Sequence, residues 1–203
     1  MGSDSNKKEV KSLPRLGVLG SGKGSNFAAI LKAISERQLN AEVALVASDH
    51  ADAGILKKAV AAGLPSYVIR EPKYKTRLSE GVEKELVRQL RAANVDVLIL
   101  AGYMRVIKTP TLEAFPGKII NIHPSLLPKF RGLEAWRQAL EAGESEAGCT
   151  VHLVDEGIDT GRILGQARVP VLANDTPESL HARIQTQEHR LYVETLKQFL
   201  QNL

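Results

Sequence analysis

From Arg15 onward, apolar runs of strand length alternate with stretches whose apolar residues recur at helical spacing. RLGVLGS (15–21) precedes a helix expected from Ser25 to about Arg37. EVALVAS (42–48) precedes the helical DAGILKKAVAAG (52–63), and SYVIR (66–70) precedes a helix expected from about Arg77 to Ala93. The next run, VDVLILAG (95–102), is apolar at nearly every position, as a strand buried on both faces should be, and this predicts a central strand. Repeated strand–helix alternation predicts an α/β fold: a Rossmann-like, mostly parallel sheet with helices on both faces. After Gly102 the pattern changes to KIINIHPSLLP (118–128), a helix expected over Glu134–Ala142, strands CTVHLVD (149–155) and RILGQARVPV (162–171), and a closing helix after Thr176-Pro177-Glu178. This part reads as mixed. Gly157, Asp159 and Gly161 predict an ordered loop between the last two strands.

Composition narrows the class. The 203 residues, 43% hydrophobic and 25% charged, suit one domain with a sizeable core. No run approaches the roughly 18 apolar residues that cross a bilayer, and the polar start lacks the apolar centre of a signal peptide. Residues 1–13 are therefore expected to be a disordered tail and 14–203 the folded domain. The single cysteine, Cys149, allows neither an internal disulfide nor a zinc framework, so a cytoplasmic location is the expectation. Of the net charge of +4, half comes from the first fifteen residues, where Lys7, Lys8, Lys11 and Arg15 face Asp4 and Glu9. The remainder is interleaved with acids and is too small for a nucleic-acid footprint, whereas it suits a small anionic ligand.

Two segments carry chemistry. Gly20-Ser21-Gly22-Lys23-Gly24-Ser25-Asn26 follows the first strand and opens the first helix, where free N–H groups and the helix dipole favour an anion. It matches neither the Walker spacing nor the dinucleotide fingerprint, so it reads as a generic phosphate cradle; the alternative is a tight turn with a Ser25 or Asn26 cap. In KIINIHPSLLP, Asn121 and His123 lie two apart in extended chain, and their side chains share a face. Pro124 keeps His123 out of a helix. An amide N–H and an imidazole together suit addition to a carbonyl, by stabilising oxyanion charge and handling a proton. The alternative for His123 is a hydrogen-bonded structural residue. His152 alternates with Val151 and Leu153, and the core reading is preferred for it. A carboxylate partner for His123 is sought in the loop holding Asp155, Glu156 and Asp159, which could equally be a solvated turn. That loop lacks calcium spacing, and no metal is expected.

These motifs, with Ala101-Gly102-Tyr103-Met104-Arg105 and Asn121-Ile122-His123-Pro124-Ser125-Leu126-Leu127-Pro128 taken in order, closely resemble the phosphoribosylglycinamide formyltransferases within the folate-dependent formyltransferase family. The likeness runs from about Arg15 to the final helix. It implies transfer of the formyl group of 10-formyltetrahydrofolate, a cosubstrate, to the glycine amine of glycinamide ribonucleotide in de novo purine biosynthesis. The implied route is direct amine attack and a tetrahedral intermediate. By resemblance Asn121, His123 and Asp159 are the catalytic trio, and Gly22, Lys23, Gly24, Ser25 and Asn26 hold the phosphate. Gln185 and Glu188 hold the ribose and amine. Met104, Arg105, Val106 and Ile107 face the pterin on one side and Asp155, Glu156 and Gly157 on the other, with Arg77 near the folate tail. Small molecules are the only implied partners, with a monomer or homodimer. Relatives with a second domain share this core, and the one-domain length points to the glycinamide branch.

The chain departs from its relatives in carrying Glu134, Ala135 and Trp136 where a histidine is frequent, and Asp155 where an uncharged residue is common. Two alternatives remain. One is another user of 10-formyltetrahydrofolate, with a different amine acceptor or water. The other is a dinucleotide-binding domain using Asp49 at the end of the second strand, which leaves Asn121, His123 and Asp159 unexplained.

Overall fold

Each apolar run read as a strand forms one. In the computed structural model, which describes residues 12–203, the strands are β1 (Arg15–Leu19), β2 (Glu42–Ser48), β3 (Ser66–Val68), β4 (Val97–Leu100), β5 (Ile119–His123), β6 (Glu146–Leu153) and β7 (Ile163–Pro170). The expected tail lies outside the described residues up to position 11. One sheet takes the order β3-β2-β1-β4-β5-β6-β7, with β4 at its centre. Pairings from β3 to β5 are parallel, and β5–β6 and β6–β7 are antiparallel. The mixed second half is thus a reversal of strand direction within a single sheet.

Six helices cover the faces: α1 (Ser25–Ser35), α2 (Gly54–Ala61), α3 (Glu80–Ala92), α4 (Thr109–Ala114), α5 (Ala135–Glu141) and α6 (Pro177–Gln201). The alternation of the central strands divides the core. Val97, Ile99, Ile120 and Ile122 meet Phe27 and Ile30 of α1, Ile55 of α2 and Tyr192 and Leu196 of α6. Leu98, Leu100 and Ile119 meet Leu86 and Leu90 of α3 on the other face. Fully burying each such aliphatic side chain contributes on the order of 2 kcal/mol.

Two helix assignments differ from the periodicity. The third helix begins at Glu80 rather than near Arg77, because the chain before it is engaged elsewhere. Val106 N–H donates to the Thr76 carbonyl at 2.8 Å, and Ser79 N–H donates to the Glu71 carboxylate at 2.5 Å. The six-residue α4 was not expected; it is too short for a helical period to show. It forms under Glu83 of α3, whose buried Oε1 accepts from Lys108 N at 2.7 Å and Thr111 Oγ1 at 2.9 Å and so caps the helix start. Burial raises the pKa of Glu83, against these hydrogen bonds.

α6 starts at a capping box in which the Thr176 side chain accepts from Ser179 N, and the Ser179 side chain accepts from Thr176 N. Further along it, Tyr192 is fully buried and its hydroxyl lies 3.0 Å from the Leu100 carbonyl and 2.9 Å from that of Ile120. Tyr192→Phe removes the donor shared by these two carbonyls and is expected to cost about 1–3 kcal/mol in urea unfolding; an unchanged midpoint would show that the tie does not stabilise the fold.

Candidate active site

The sheet order changes direction of travel between β1 and β4, and the loops after those strands flank a crevice at their C-terminal ends. The glycine-rich loop after β1 is fastened there. Ser21 N–H donates to the Gly102 carbonyl at 2.9 Å, Met104 N–H donates to Ser21 Oγ at 2.9 Å, and Ile55 N–H donates to the Gly22 carbonyl at 3.1 Å. Gly24 is the N-cap of α1 in the left-handed region, with φ of 71°, and a Cβ there would come within 2.8 Å of Ile55 Cα. No side chain caps α1. The expected alternative of a Ser25 or Asn26 cap is therefore not found, and the N–H groups of the first turn have no side-chain acceptor among the described residues, with the helix dipole behind them.

α6 lies against this loop. Gln185 Nε2 donates to Ser25 Oγ at 3.0 Å, and Asn26 Nδ2 donates to Glu188 Oε2 at 3.0 Å. Asn26 Oδ1 is buried with no partner among the described residues. Burial raises the pKa of Glu188, with the Asn26 hydrogen bond opposing. Ser25 and Asn26 of the loop are thus tied to Gln185 and Glu188 of α6, some 160 positions away in sequence.

β5 delivers the rest. Ile120 and Ile122 enter the core, so Asn121 and His123 take the opposite face. The antiparallel register sets Asn121 opposite His152 and His123 opposite Thr150, and directly opposed residues share a face. His152 Nδ1 lies 2.7 Å from the Leu153 carbonyl and donates to it; on that tautomer Nε2, 3.2 Å from Asn121 Nδ2, accepts from the amide. The second amide N–H of Asn121 is left for a ligand. His123 Nε2 donates to the Phe130 carbonyl at 2.9 Å, and its Nδ1 lies 3.3 Å from Asp159 Oδ2. The other oxygen of Asp159 lies 3.5 Å from His152 Nε2, and Gly132 N–H donates to Oδ2 at 2.9 Å. One carboxylate therefore lies against two imidazoles.

The three side chains are only 7% (His123), 12% (Asp159) and 2% (His152) exposed. Burial holds His123 below the usual histidine range, with the Asp159 charge and the Phe130 carbonyl opposing. For Asp159, burial pushes the pKa up, but the His152 hydrogen bond, the charge of His123 and the Gly132 N–H outweigh it, and the carboxyl sits below the usual range. An ionised carboxylate thus faces an imidazole whose neutral form can satisfy one of its two acceptors. A proton gained by His123 lands between ring and carboxylate.

The structure places the remaining expected residues unequally. Met104 is 56% exposed on the rim, and Val106 is half-buried where its backbone pairs with residues 76–77. Ile107 is buried in the core, so only its backbone can face a ligand. The Arg105 guanidinium does not point outward: Nε donates to Asp49 Oδ2 at 2.7 Å, and Nη1 reaches the Tyr74 and Arg77 carbonyls. This also engages Asp49, whose side chain is 3% exposed and closed to the ribose contact of a dinucleotide domain. Arg77 is exposed, with its guanidinium 4.2 Å over the Tyr74 ring. Asp155 accepts from Gly157 N at 3.0 Å and Thr160 Oγ1 at 2.5 Å, which leaves Glu156 exposed at the tip of a turn. Among the described residues no group of three or more His, Cys, Asp or Glu side chains has a geometry that could hold a metal, and no helix is long and apolar enough to cross a membrane.

His152 is the residue that sequence reasoning placed in the core and the structure places in the site. Only the β5–β6 register brings it there. Thr150 was likewise unmarked: its hydroxyl donates to the Ser125 carbonyl at 2.6 Å and accepts from Leu127 N at 3.1 Å, holding the turn after His123.

A formyl transferase family model matches residues 14–196. The chain belongs to the formyl transferase family. This formyl transferase is 42% identical over 188 residues to phosphoribosylglycinamide formyltransferase of Bacillus subtilis, covering 93% of this chain and 95% of that one. It is 50% identical over 177 residues to the trifunctional purine biosynthetic protein adenosine-3 of Drosophila pseudoobscura; that match covers 86% of this chain but 13% of the much longer relative. Glycinamide ribonucleotide transformylase 1 of Symbiobacterium toebii superposes with a TM-score of 0.91 at 46% identity, covering 99% of this chain and 94% of that one.

The coupling between ring and carboxylate is measurable. Asp159→Asn removes the charge that favours the imidazolium, so the NMR-titrated pKa of His123 should fall further below the usual value. A folded-state pKa lowered for His123 also means that the unfolded chain binds more protons just below its own histidine pKa, so stability should rise with pH through that window. An unchanged His123 titration in Asp159→Asn would show that the two groups are independent.

Proposed function

We propose that this formyl transferase moves the formyl group of 10-formyltetrahydrofolate to the glycine amine of glycinamide ribonucleotide, in de novo purine biosynthesis, with residues 14–203 as the unit responsible. The observation that carries the reading is Asp159 held between two imidazoles, with a free Asn121 N–H beside them. Relatives named for this reaction support it.

The folate supplies an electrophilic formyl carbon on a nitrogen leaving group. The residues suited to hold it are the backbone of Met104–Ile107 and the turn at Asp155–Gly157. The fit rests on the donor set and on exposed apolar surface: Met104 and Ile158 are each 56% exposed, one on each loop, and suit a flat ring. Arg77 is assigned to the anionic tail, and the Arg105 side chain to holding the loop that carries Arg77. The α1 N-terminus, with Gly22–Asn26, is assigned to the phosphate. Gln185, Asn26 and Glu188 are assigned to the ribose and amine, and the orphaned Asn26 Oδ1 is an acceptor awaiting a donor such as a hydroxyl or amine.

As the amine attacks, negative charge grows on the formyl oxygen. The free Asn121 N–H is the preorganised donor for it, worth about 10²–10³-fold, and a protonated His123 joins it by exchanging the Phe130 carbonyl for the formyl oxygen at Nε2 while Nδ1–H stays on Asp159. Asp159 takes up proton density from the amine, directly or through water, and passes it toward the folate nitrogen. Its low pKa keeps it ionised for the first half of that task. His152 acts through Asn121, whose amide it orients.

The assay is tetrahydrofolate release followed by absorbance, with and without glycinamide ribonucleotide. Release that requires the nucleotide is the expected result; equal release without it would make the chain a hydrolase. His123→Ala and Asp159→Asn should each lower kcat/KM by about 10²–10⁴-fold with far-UV circular dichroism unchanged. Ser25→Ala and Asn26→Ala should raise KM for the nucleotide more than for the folate, and the reverse order would remove the phosphate assignment.

A further inference from the structure

Trp136, one of the departures in sequence, has a defined partner. Its ring lies on that of His181, with centroids 3.8 Å apart and planes 3° from parallel, joining α5 to α6. His181 stands one helical turn before Gln185, and residues four apart lie on the same helix face. Gln185 is the residue that reaches Ser25 in the glycine-rich loop. The loop's own Lys23 bears on His181 electrostatically: burial first, and then the Lys23 charge, keep the imidazole below its usual range. Neither ring nitrogen of His181 has a hydrogen-bond partner among the described residues, and the side chain is only partly exposed. A stack of this kind fixes a ring in orientation while leaving its N–H edge unengaged.

We propose that His181 is a further phosphate-binding residue, which closes the anion site of the glycine-rich loop together with Lys23, Ser25 and Gln185, and that Trp136 is the residue that positions it. The ligand class is a sugar phosphate monoester. The inference rests on the nucleotide reading above and adds to it a donor that the glycine-rich motif does not contain.

The site as it stands brings the cationic Lys23 and the positive end of α1 together, and among the described residues no acidic side chain forms an ion pair with Lys23. A phosphate dianion there reverses the electrostatic pressure on His181. Lys23, which disfavours a second cation in the free protein, is neutralised, and the imidazole gains an acceptor. His181 then contributes an N–H to a phosphate oxygen as a neutral ring, or a charge-assisted one as the imidazolium. Held by Trp136, it loses little side-chain freedom on binding.

Trp136 is the only tryptophan in the chain, so its fluorescence reports directly on the stack. Titrating the full-length protein with ribose 5-phosphate should give a saturable change in emission, and His181→Phe, which keeps a ring on Trp136 but has no N–H, should weaken binding by calorimetry about 10- to 100-fold. The same variant should raise KM for glycinamide ribonucleotide, leave KM for the folate unchanged, and show no defect with the nucleoside that lacks the 5′-phosphate. His181→Gln, which retains an N–H donor, should keep more affinity than His181→Phe. Equal affinity of wild type and His181→Phe for ribose 5-phosphate would overturn the inference and leave the function intact. A loss of the same size with the phosphate-free nucleoside would make His181 a packing residue, which also overturns it. Failure of the wild type to bind ribose 5-phosphate at all would bring down the phosphate-loop reading itself, and this inference with it.

Discussion

Strand direction first reverses between β5 and β6, and the chemistry of the site depends on that pairing. A parallel neighbour would have put a different residue opposite Asn121 and sent the following loop into a crossover. The antiparallel register sets His152 against Asn121 and Thr150 against His123. The Leu153 N–H then donates to the Arg162 carbonyl, and Val154 N–H to that of Ile119, so the ends of the loop between β6 and β7 are pinned and Asp159 lies against both imidazoles. Close approach is required to do this. A Cβ on Gly161 would sit 1.8 Å from the Leu153 carbonyl oxygen, and Asp159 itself takes φ of 52°, a conformation that non-glycine residues adopt at a cost.

The pinning explains why so few groups suffice. Asp159 accepts from the Gly132 backbone, so its position does not depend on either histidine alone. Each histidine in turn has one nitrogen committed to a carbonyl, of Phe130 or of Leu153, which fixes the ring; the other nitrogen of His123 lies toward the carboxylate, and that of His152 accepts from Asn121 with the carboxylate beside it. In a site this buried, a charge without partners would be expensive. Here the Gly132 N–H answers the negative charge, and protonation of His123 adds a ring N–H toward the same carboxylate, so that charge is paired within the cluster instead of created in isolation.

The sequence carried the backbone of this arrangement well and its cross-chain partnerships poorly. Near-continuous apolar character in VDVLILA marked the central strand, and the two-residue spacing of Asn121 and His123 put them on one face, because both follow from local periodicity. The family likeness supplied Asp159. His152 was beyond reach because its alternation with Val151 and Leu153 fits either face, and only pairing with β5 decides which one holds the site. The partner of Arg105 was out of reach for a related reason: Asp49, 56 residues away, draws the guanidinium inward. The short α4 escaped because its cap, Glu83, comes from another helix.

α6 joins the two halves of the site, which use different physics. The anion end relies on backbone N–H groups and a helix dipole, fixed partial charges that need no titration; the reacting end relies on buried groups whose protonation changes. Along one face of α6, Ile184, Glu188, Tyr192 and Leu196 follow at four-residue spacing, all buried. Glu188 reaches Asn26 at the first end, and one turn later Tyr192 reaches the carbonyls of Leu100 and Ile120, the latter directly before Asn121. A displacement of this helix at the glycine-rich loop would therefore be felt at the strand that carries Asn121. The separation between the glycine-rich loop and Asn121 is spanned by a single rigid rod, and a long, capped helix is the element best able to hold it constant.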